Sequence, residues 1–509
     1  MVVVKKAPVE WCSWQLLFFV VSTSLGFAWN AVVTDCDETF GYWEPLHNLV
    51  YGHGLQTWEY SPQFALRPYI FLVPFSLLAR LLRWMSKRAV YRSIRLILSL
   101  MTVTCQYQWC SAVATAWGKS VAGLSFLLLA VTPGMVQASS ALLPNSLSMN
   151  LMTLLWTQYL QGADNRAVFL AMVIAVFGWP YALLAAIVPL VTTMRTEITA
   201  KNGATMRTSD LSMAKWIEVL SRRWFIATVF GICYLVLPSI LIDRIYYGRW
   251  TMANMNALIY NLFSRGGSHL FGVESRWFLL KNLLLNFNFV APLSLLAVLV
   301  RQKDGVRAMW LTLVGCVSIF SIPAHKEERF LYPIYPILVV LASVALCSFV
   351  GNRTRRILII AILLLCGCRN VAVIRNHRAP EQIFSKIPSH SKGLLCMADA
   401  WHLFPSHFHL SNSLRVGFVE NRFKGILPRY FDKNANFNDM NEGTSEQFVD
   451  PARCDYLVLT ETEAVEIGLA FSSPIVCAEM VTSGGPARWL YVPFLQPTRQ
   501  TMCLLKYPK

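Results

Sequence analysis

The sequence predicts an all-α polytopic membrane protein of about eleven spans, followed by a small mixed α/β domain. Three observations lead there. Of 509 residues, 55% are hydrophobic and only 14% charged, with a mean hydropathy of +0.45; soluble domains carry about a quarter charged residues. Windows of about 19 residues turn apolar repeatedly between residues 11 and 374. Beyond residue 374 the apolar runs stop, and 375–509 is polar enough to fold in water.

The first apolar segment runs from about Trp11 to Val33 behind Lys5 and Lys6. It passes straight into acids without a small-residue cleavage site, so it reads as a retained anchor with a cytosolic N-terminus. The run Asp35-Cys36-Asp37-Glu38-Thr39-Phe40-Gly41-Tyr42-Trp43-Glu44-Pro45 follows, and no Lys or Arg occurs between Asp35 and Leu66. The next loop, reached through a second apolar segment, is basic: Arg80, Arg83, Lys87, Arg88, Arg92 and Arg95. Spans are expected near 93–116, 119–136, 142–161 and 166–194, the last interrupted by Pro180 and Pro189. Lys201, Arg207, Lys215, Arg222 and Arg223 make the following stretch basic again. A seventh span near 224–242 opens on 243–281, which lacks strong hydropathy and is rich in Tyr, Trp, Asn and Gly. Spans near 284–300 and 308–323 flank Arg301, Lys303 and Arg307; those near 331–350 and 356–374 flank Arg353, Arg355 and Arg356.

Cationic loops stay in the cytosol, so this alternation puts every strongly basic loop there and the acids on the other side. The net charge of +17 is then a sorting signal and not a nucleic-acid surface. Residues 1–374 read as the membrane module, with noncytosolic loops at 35–67 and 243–285, and 375–509 as a noncytosolic domain. The pieces 35–67, 243–285 and 324–330 are expected to meet on one face and enclose a site. Aromatic residues within 35–69 and 246–289 suit helices lying along the membrane interface. Of thirteen cysteines, none forms a C-x-x-C pair. Cys396, Cys454, Cys477 and Cys503 share the polar region, where a disulfide can form in an oxidising compartment. The sequon Asn352-Arg353-Thr354 falls on the cytosolic side and should carry no glycan.

A carboxylate in hydrocarbon costs about 2.5–3.5 kcal/mol on insertion scales, so acids at the end of an apolar helix are hydrated, paired or functional. Asp35, Asp37 and Glu38 are candidate general bases, each able to take a proton from an attacking hydroxyl. If a helix begins here, Asp35 and Glu38 share a face, and the repulsion of close like charges favours a base poised nearer neutrality. The alternative is that Asp35 or Asp37 caps the helix start. In His325-Lys326-Glu327-Glu328-Arg329 three cations stand beside two acids. Arg329 can bind a phosphate bidentately while Lys326 and His325 add charge; alternatively the turn neutralises itself, the glutamates pairing with Lys326 and Arg329. His402, His407 and His409 form a poor metal set, with no carboxylate among them. Gly178-Trp179-Pro180 breaks a span and Pro144-Asn145 opens another, as in transporter cavities or ordinary kinks. A lipid or solute transporter is a competing class, but no internal repeat accompanies these breaks.

The runs Asp35–Pro45, Tyr51-Gly52-His53-Gly54-Leu55-Gln56-Thr57-Trp58-Glu59-Tyr60-Ser61-Pro62 and His325–Pro333 closely resemble one family. It is that of the dolichyl-phosphate-mannose-dependent alpha-1,2-mannosyltransferases of the endoplasmic reticulum, which extend the lipid-linked oligosaccharide for N-glycosylation. Similar stretches recur at Ile242-Asp243, Tyr246-Tyr247-Gly248, Asn286-Phe287-Asn288, Phe404-Pro405-Ser406, Asp439-Met440-Asn441, Cys454–Val458 and Tyr491–Leu495. The resemblance implies a glycosyltransferase C fold with interfacial lumenal helices and a lumenal C-terminal domain in the endoplasmic-reticulum membrane. It also implies an inverting transfer of mannose from dolichyl-phosphate mannose to the oligosaccharide. Carried over, it makes Asp37 the base, with Asp35 and Glu38 as contenders. His325, Lys326 and Arg329 are then expected to contact the donor phosphate, and Glu44, Trp43 and Tyr60 to contact substrate. No metal, cofactor or nucleic acid is expected, since cationic side chains can stabilise a leaving phosphate. A related acceptor, such as the glycosylphosphatidylinositol precursor, is the nearest enzymatic alternative.

Overall fold

The computed structural model describes residues 10–162, 164–193, 229–263, 268–300, 304–388, 390–432, 437–438, 440–466, 474–481 and 498–506. The basic stretch Lys201–Arg223 and the run Tyr491–Leu495 lie outside these. The chain forms two compact units. The first comprises Met1–Ala28, Leu96–Ile245 and Gly272–Gly367; the second comprises Trp29–Arg95, Tyr246–Phe271 and Cys368–Lys509.

The first unit is helical. Its central helix, Tyr335–Phe349, is apolar on every side and buried almost throughout, as such a helix must be inside a bundle. It packs against Lys119–Val131 and Val290–Leu296. Proline and glycine set the breaks. The pair Lys119–Val131 and Pro133–Ser140 bends by 68°, because Pro133 has no N–H to continue the ladder. The pair Phe278–Phe287 and Val290–Leu299 bends by 105° at Asn288, whose φ is 40°. At Gly134 an added Cβ would stand 2.4 Å from the Phe287 ring, so only glycine allows this approach.

Among the described residues, Val229–Tyr247, Glu328–Phe349 and Asn352–His377 are long and apolar enough to cross a membrane, and each bent pair adds one more. Trp14–Trp29, Arg166–Phe177, Pro180–Thr193 and Gly305–Phe320 are apolar but shorter. By that measure the hydropathy expectation of about eleven is not reached. Sliding windows average across breaks such as Gly178-Trp179-Pro180, where the structure has two helices in place of one span.

The second unit holds a five-stranded sheet. Strands β2 (Gly393–Met397), β3 (Leu414–Phe418), β5 (Tyr456–Thr460), β6 (Pro474–Val481) and β7 (Arg499–Lys506) are ordered β3-β2-β5-β7-β6. β2 runs parallel to β3 and β5, while β7 is antiparallel to β5 and β6. The helix Ala379–Ser385 packs on β6 and β7. Separately, β1 (Leu55–Gln56) pairs with β4 (Arg429–Tyr430). Phe40 and Leu55 are buried in the same core as Ile383, Phe384, Phe404, Leu414 and Val458, so the acidic segment is part of this unit. Two disulfides, Cys396–Cys454 and Cys477–Cys503, join the four cysteines of the polar region.

The charge alternation fails at its second step. Arg80, Lys87, Arg88, Arg92 and Arg95, expected across the membrane from the acids, contact the acidic segment and the 379–409 region. Arg80 Nη2 donates to the Leu49 carbonyl at 2.7 Å, and Arg88 Nη2 to those of Phe384 and His409. Arg92 pairs with Glu381 at 3.4 Å and Arg95 with Glu38 at 2.9 Å. The apolar piece counted as the second span is Tyr69–Leu81. At 1.5 Å per residue it is about 20 Å long, too short for a hydrocarbon core of about 30 Å. It presents Leu77 and Leu81 outward while Phe75, Ser76 and Ala79 face the unit, which is the pattern of an interfacial helix.

Candidate active site

The acidic motif folds as a single helical stretch with a wide turn inside it. Asp35 is extended, with φ −131° and ψ 119°, and its Oδ1 accepts the Asp37 N–H at 2.9 Å. It is therefore the N-cap of Cys36–Glu38, and capping uses one of its oxygens. A π-turn, Thr39–Trp43, then interrupts the helix before Glu44–Tyr51, which ends on Gly52 in the left-handed region. Such insertions recur at functional sites because they turn side chains out of helical register.

The acids ahead of this wide turn have different environments. Glu38 points inward; its Oε1 accepts from Trp43 Nε1 at 2.8 Å and Arg95 Nη2 at 2.9 Å, and both ion-pair partners are buried. Arg95 lies over the Trp43 and Tyr91 rings as well. A carboxylate so enclosed is a structural anchor, so Glu38 leaves the set of candidate bases. Asp37 differs: its side chain is 38% exposed, with Arg67 Nη2 at 3.6 Å from Oδ2. Asp37 is thus a partly exposed carboxylate that pairs with Arg67, where Glu38 is a buried one that pairs with Arg95. The absence of bases up to Leu66 was thus misleading, because Arg67 and Arg95 supply the charge that the local sequence lacks.

Arg67 is held on several sides. Nε and Nη2 both reach Glu59 Oε2, at 2.8 and 2.7 Å, and Nη1 donates to the Tyr42 hydroxyl at 2.5 Å. Its carbonyl accepts from the Tyr247 hydroxyl at 2.6 Å. Asn256 Nδ2 donates to the carbonyls of Phe64 and Ala65, stabilising Ala65 at a φ of 48°. Tyr69 stacks on Tyr246 at 4.5 Å. Residues 246–256 therefore hold the Arg67 loop in place, as expected for two noncytosolic pieces that meet. Sequence reading missed Arg67, Glu59 and Tyr42; Arg67 stands one residue beyond the stretch found free of bases.

Three residues expected to touch substrate are buried inside the second unit. Trp43 is buried against Tyr91 and Phe408. Tyr60 is buried and donates its hydroxyl to the Gly41 carbonyl at 2.7 Å. Glu44 is fully buried: Oε1 accepts from Ser406 Oγ and His407 N, both at 2.8 Å, and Oε2 from Leu55 N at 2.9 Å. His407 Nδ1 lies 2.6 Å from Oε2. Gly54 makes this possible, since a Cβ there would sit 2.4 Å from the Glu44 carbonyl oxygen. Burial alone would push the Glu44 carboxyl upward, but His407's charge and hydrogen bonds, with the Leu55 N–H, bring it below the usual value. All three residues shape the segment that presents Asp37.

The three histidines of the 402–409 run go to different places. His402 Nδ1 faces the Asp399 carbonyl at 3.1 Å, His407 bridges Glu44 and Tyr430, and His409 is buried against Tyr91. They do not converge on a metal position.

In the first unit, the His325–Arg329 turn is partly self-neutralising, with the expected pairing of Arg329 to a glutamate present. Glu327 takes both His325, at 2.8 Å, and Arg329. Glu328 accepts from Asn286 Nδ2 at 2.6 Å and the Tyr335 hydroxyl at 3.0 Å. Lys326 is buried, its Nζ donating to the Glu274 carbonyl at 3.1 Å. Asn145 Nδ2 donates to the Arg329 carbonyl at 3.1 Å, Ser148 Oγ accepts the Trp179 N–H at 2.7 Å, and Trp179 stacks on Phe330 at 5.1 Å. The breaks at Pro144 and Gly178 thus frame this turn. His325 is the most exposed of its cations, and the Glu327 hydrogen bond raises its pKa above the ordinary value against the effect of burial.

The chain is similar to known proteins over most of its length. The alpha-1,2-mannosyltransferase ALG9 of Arabidopsis thaliana is 30% identical over 475 residues, covering 85% of this chain and 79% of that protein. The Homo sapiens protein of the same name is 30% identical, covering 87% and 78%. Among solved structures, ArnT from Cupriavidus metallidurans bound to undecaprenyl phosphate matches with a TM-score of 0.55 at 11% identity, covering 96% of this chain and 97% of that one. This likeness shows the fold, that of a membrane glycosyltransferase of the C type. The profile of the Alg9-like mannosyltransferase family matches residues 14–411, and the chain belongs to that family.

Proposed function

We propose that this mannosyltransferase moves mannose from dolichyl-phosphate mannose to the dolichol-linked oligosaccharide at the lumenal face of the endoplasmic-reticulum membrane, forming alpha-1,2 linkages. The observation that carries the assignment of the base is the sorting of the acids: Asp35 caps, Glu38 and Glu44 are buried in ion-paired networks, and Asp37 is presented to solvent. In a single displacement the acceptor hydroxyl oxygen attacks C1 of the mannose, its proton passes to an Asp37 oxygen, and the C1–O bond to phosphate breaks with inversion. Charge grows on the departing dolichyl phosphate, and fixed cations stabilise it. We assign that role to the His325–Arg329 turn, with His325 the cation facing the phosphate and Lys326 and Arg329 holding the turn. Two disulfides in the unit that carries Asp37 support an oxidising compartment for it.

The test is transfer by the purified protein to a synthetic lipid-linked oligosaccharide, with linkage analysis. Asp37→Asn is expected to lower kcat about a hundredfold or more with little change in donor KM. Transfer at the parental rate would remove Asp37 as the base, and a product with another linkage or on a glycosylphosphatidylinositol precursor would reassign the acceptor. Because His325 is charged below its raised pKa, donor KM should rise as pH climbs past it, and His325→Lys should flatten that rise. Arg329→Ala should weaken donor use; an unchanged donor response would exclude the turn from the phosphate site.

A further inference from the structure

We propose that Tyr51, His53, Arg83, Lys87 and Arg415 form a binding site for the phosphate group of a lipid at the membrane surface. Whether Asp37 is the base does not bear on it. All five residues belong to the second unit, and three of them surround the buried ring of His47. The Tyr51 and His53 rings lie 4.6 and 4.7 Å from that ring, and Lys87 Nζ lies 3.1 Å from His47 Nε2. His47 Nδ1 donates to the His53 carbonyl at 2.6 Å, so Nε2 is the lone pair that takes one of the three ammonium N–H groups. The Arg83 guanidinium and Lys87 Nζ stand over the Tyr51 ring at 5.6 and 5.3 Å. Arg415 lies over the Tyr430 ring at 5.5 Å, and its charge reaches both Lys87 and His53.

The cluster carries more positive charge than its surroundings cancel. Among the described residues, none of Arg83, Lys87 and Arg415 pairs with a carboxylate. Glu44, whose charge reaches Lys87, has both oxygens taken up by Ser406, His407 and Leu55. Burial lowers Lys87 to about 8, with Glu44 opposing the fall and Arg415 adding to it. The helix Lys87–Trp117 deepens the excess, because it opens on Lys87 and Arg88 with no acid in its first turn. Two polar atoms beside His47, the Tyr51 hydroxyl and His53 Nε2, are shielded from solvent and have no partner among the described residues. Buried polar groups are costly to leave so. A phosphate accepts from the hydroxyl, the ammonium and the guanidinium groups together. It also accepts from His53 Nε2 once that atom takes up a proton, since the other ring nitrogen bonds the Tyr51 backbone. The carrier is a lipid because the chain leading into the cluster is interfacial: Leu77, Leu81 and Trp84 are 61%, 73% and 81% exposed. Apolar side chains that enter a headgroup layer stand there next to Arg83 and Lys87, the pairing of features that holds an anionic headgroup.

The test uses the full-length enzyme in detergent, stripped of bound lipid, with phosphatidic acid in mixed micelles as the probe and phosphatidylcholine as its neutral counterpart. Phosphatidic acid should raise the melting temperature saturably by several degrees, and phosphatidylcholine should do much less. Arg83→Gln and Arg415→Gln, both at exposed positions where folding is preserved, should each raise the apparent Kd for phosphatidic acid about tenfold, the worth of one charge-assisted hydrogen bond. Arg453→Gln removes an exposed charge of the same unit outside the cluster and should leave the Kd at the parental value. Tyr51→Phe keeps the ring and removes only the hydroxyl. Without lipid it should melt no lower than the parent, yet gain less from phosphatidic acid, a split that a merely structural hydroxyl would not give. The KM values for the two lipid substrates then name the carrier. A roughly tenfold rise in the acceptor KM of both arginine variants, with donor KM unchanged, gives the site to the diphosphate of the lipid-linked oligosaccharide. Unchanged KM for both substrates gives it to a phospholipid of the bilayer. No saturable response of the parent to phosphatidic acid, or the same Kd in Arg83→Gln, Arg415→Gln and Arg453→Gln, would overturn the proposal.

Discussion

Replacing Glu44 by Gln changes almost no volume, yet it should be among the more damaging single substitutions in the second unit. The carboxylate meets four donor or titratable groups: Ser406 Oγ and His407 N on one oxygen, Leu55 N and His407 Nδ1 on the other. A glutamine has one accepting oxygen and one amide nitrogen. Whichever way it is turned, its NH2 faces a backbone N–H, either that of Leu55 or that of His407, neither of which can accept. The cost combines one buried unsatisfied donor, about 1–3 kcal/mol, with the loss of charge-assisted bonds, about 1.5–3 kcal/mol. Together these come to about 2.5–6 kcal/mol, a range that spans the cost of removing one partner of a buried pair. The assay is thermal unfolding of the purified protein in detergent by tryptophan fluorescence, where a fall of about 5–15 °C is expected. Well below that midpoint, KM for donor and acceptor should match the parent. A melting temperature within two or three degrees of the parent, about the shift from a single kcal/mol, or a selective rise in either KM, would refute the view of Glu44 as an internal anchor.

Acid should destabilise the second unit before it affects the carboxylates. Burial, then Lys87 and His407 nearby, keeps His47 well below the ordinary value; burial with His407 and Arg415 brings His53 to about 4, and burial with Arg88 and Arg95 brings His409 to about 3. These folded values lie below the unfolded value of about 6.5, so the unfolded chain binds protons first and stability present above pH 6.5 is lost as pH falls. His409 alone accounts for about 2 kcal/mol by pH 5, and His409→Leu should shrink the fall in melting temperature between pH 7.5 and 5. Reduction should loosen the sheet: bridges spanning 58 and 26 residues are worth about 4 and 3.5 kcal/mol in the loop-entropy account. Thiol labelling of the unfolded protein should find nine reactive cysteines without reductant and all thirteen with it; thirteen in both would remove the bridges.

What could be read from sequence was what depends on neighbours along the chain. The capping chemistry of Asp35, the break at Gly178-Trp179-Pro180 and the four cysteines in one polar region are local facts, and the structure places them accordingly. The fate of Glu38 and Glu44 is not local: their partners Arg95 and His407 lie 57 and 363 positions away, and no period or window connects them. Exposure separates Asp37 from Glu38, and two adjacent acids differ in it because a distant arginine takes one of them into the interior. Loop charge misled for a related reason. Positive-inside counting treats Arg80–Arg95 as solvated cations, whereas Arg92 and Arg95 face carboxylates and Arg80 and Arg88 face carbonyls of the same unit.

The bond between Glu44 and His407 also has a consequence during synthesis. At about 5–20 residues per second, the 363 positions between them take roughly 20–70 s to translate. Throughout that interval Glu44 lacks Ser406 and His407, and Phe40 has no sheet to enter. The segment bearing Asp37 therefore cannot settle when it emerges and must wait for residues 379–430. A ribosome that stops early releases a membrane-inserted chain whose acidic turn is unformed, visible to chaperones and inactive. Assembly order thus works as a checkpoint: transfer chemistry becomes available only after the distant half of its scaffold has arrived.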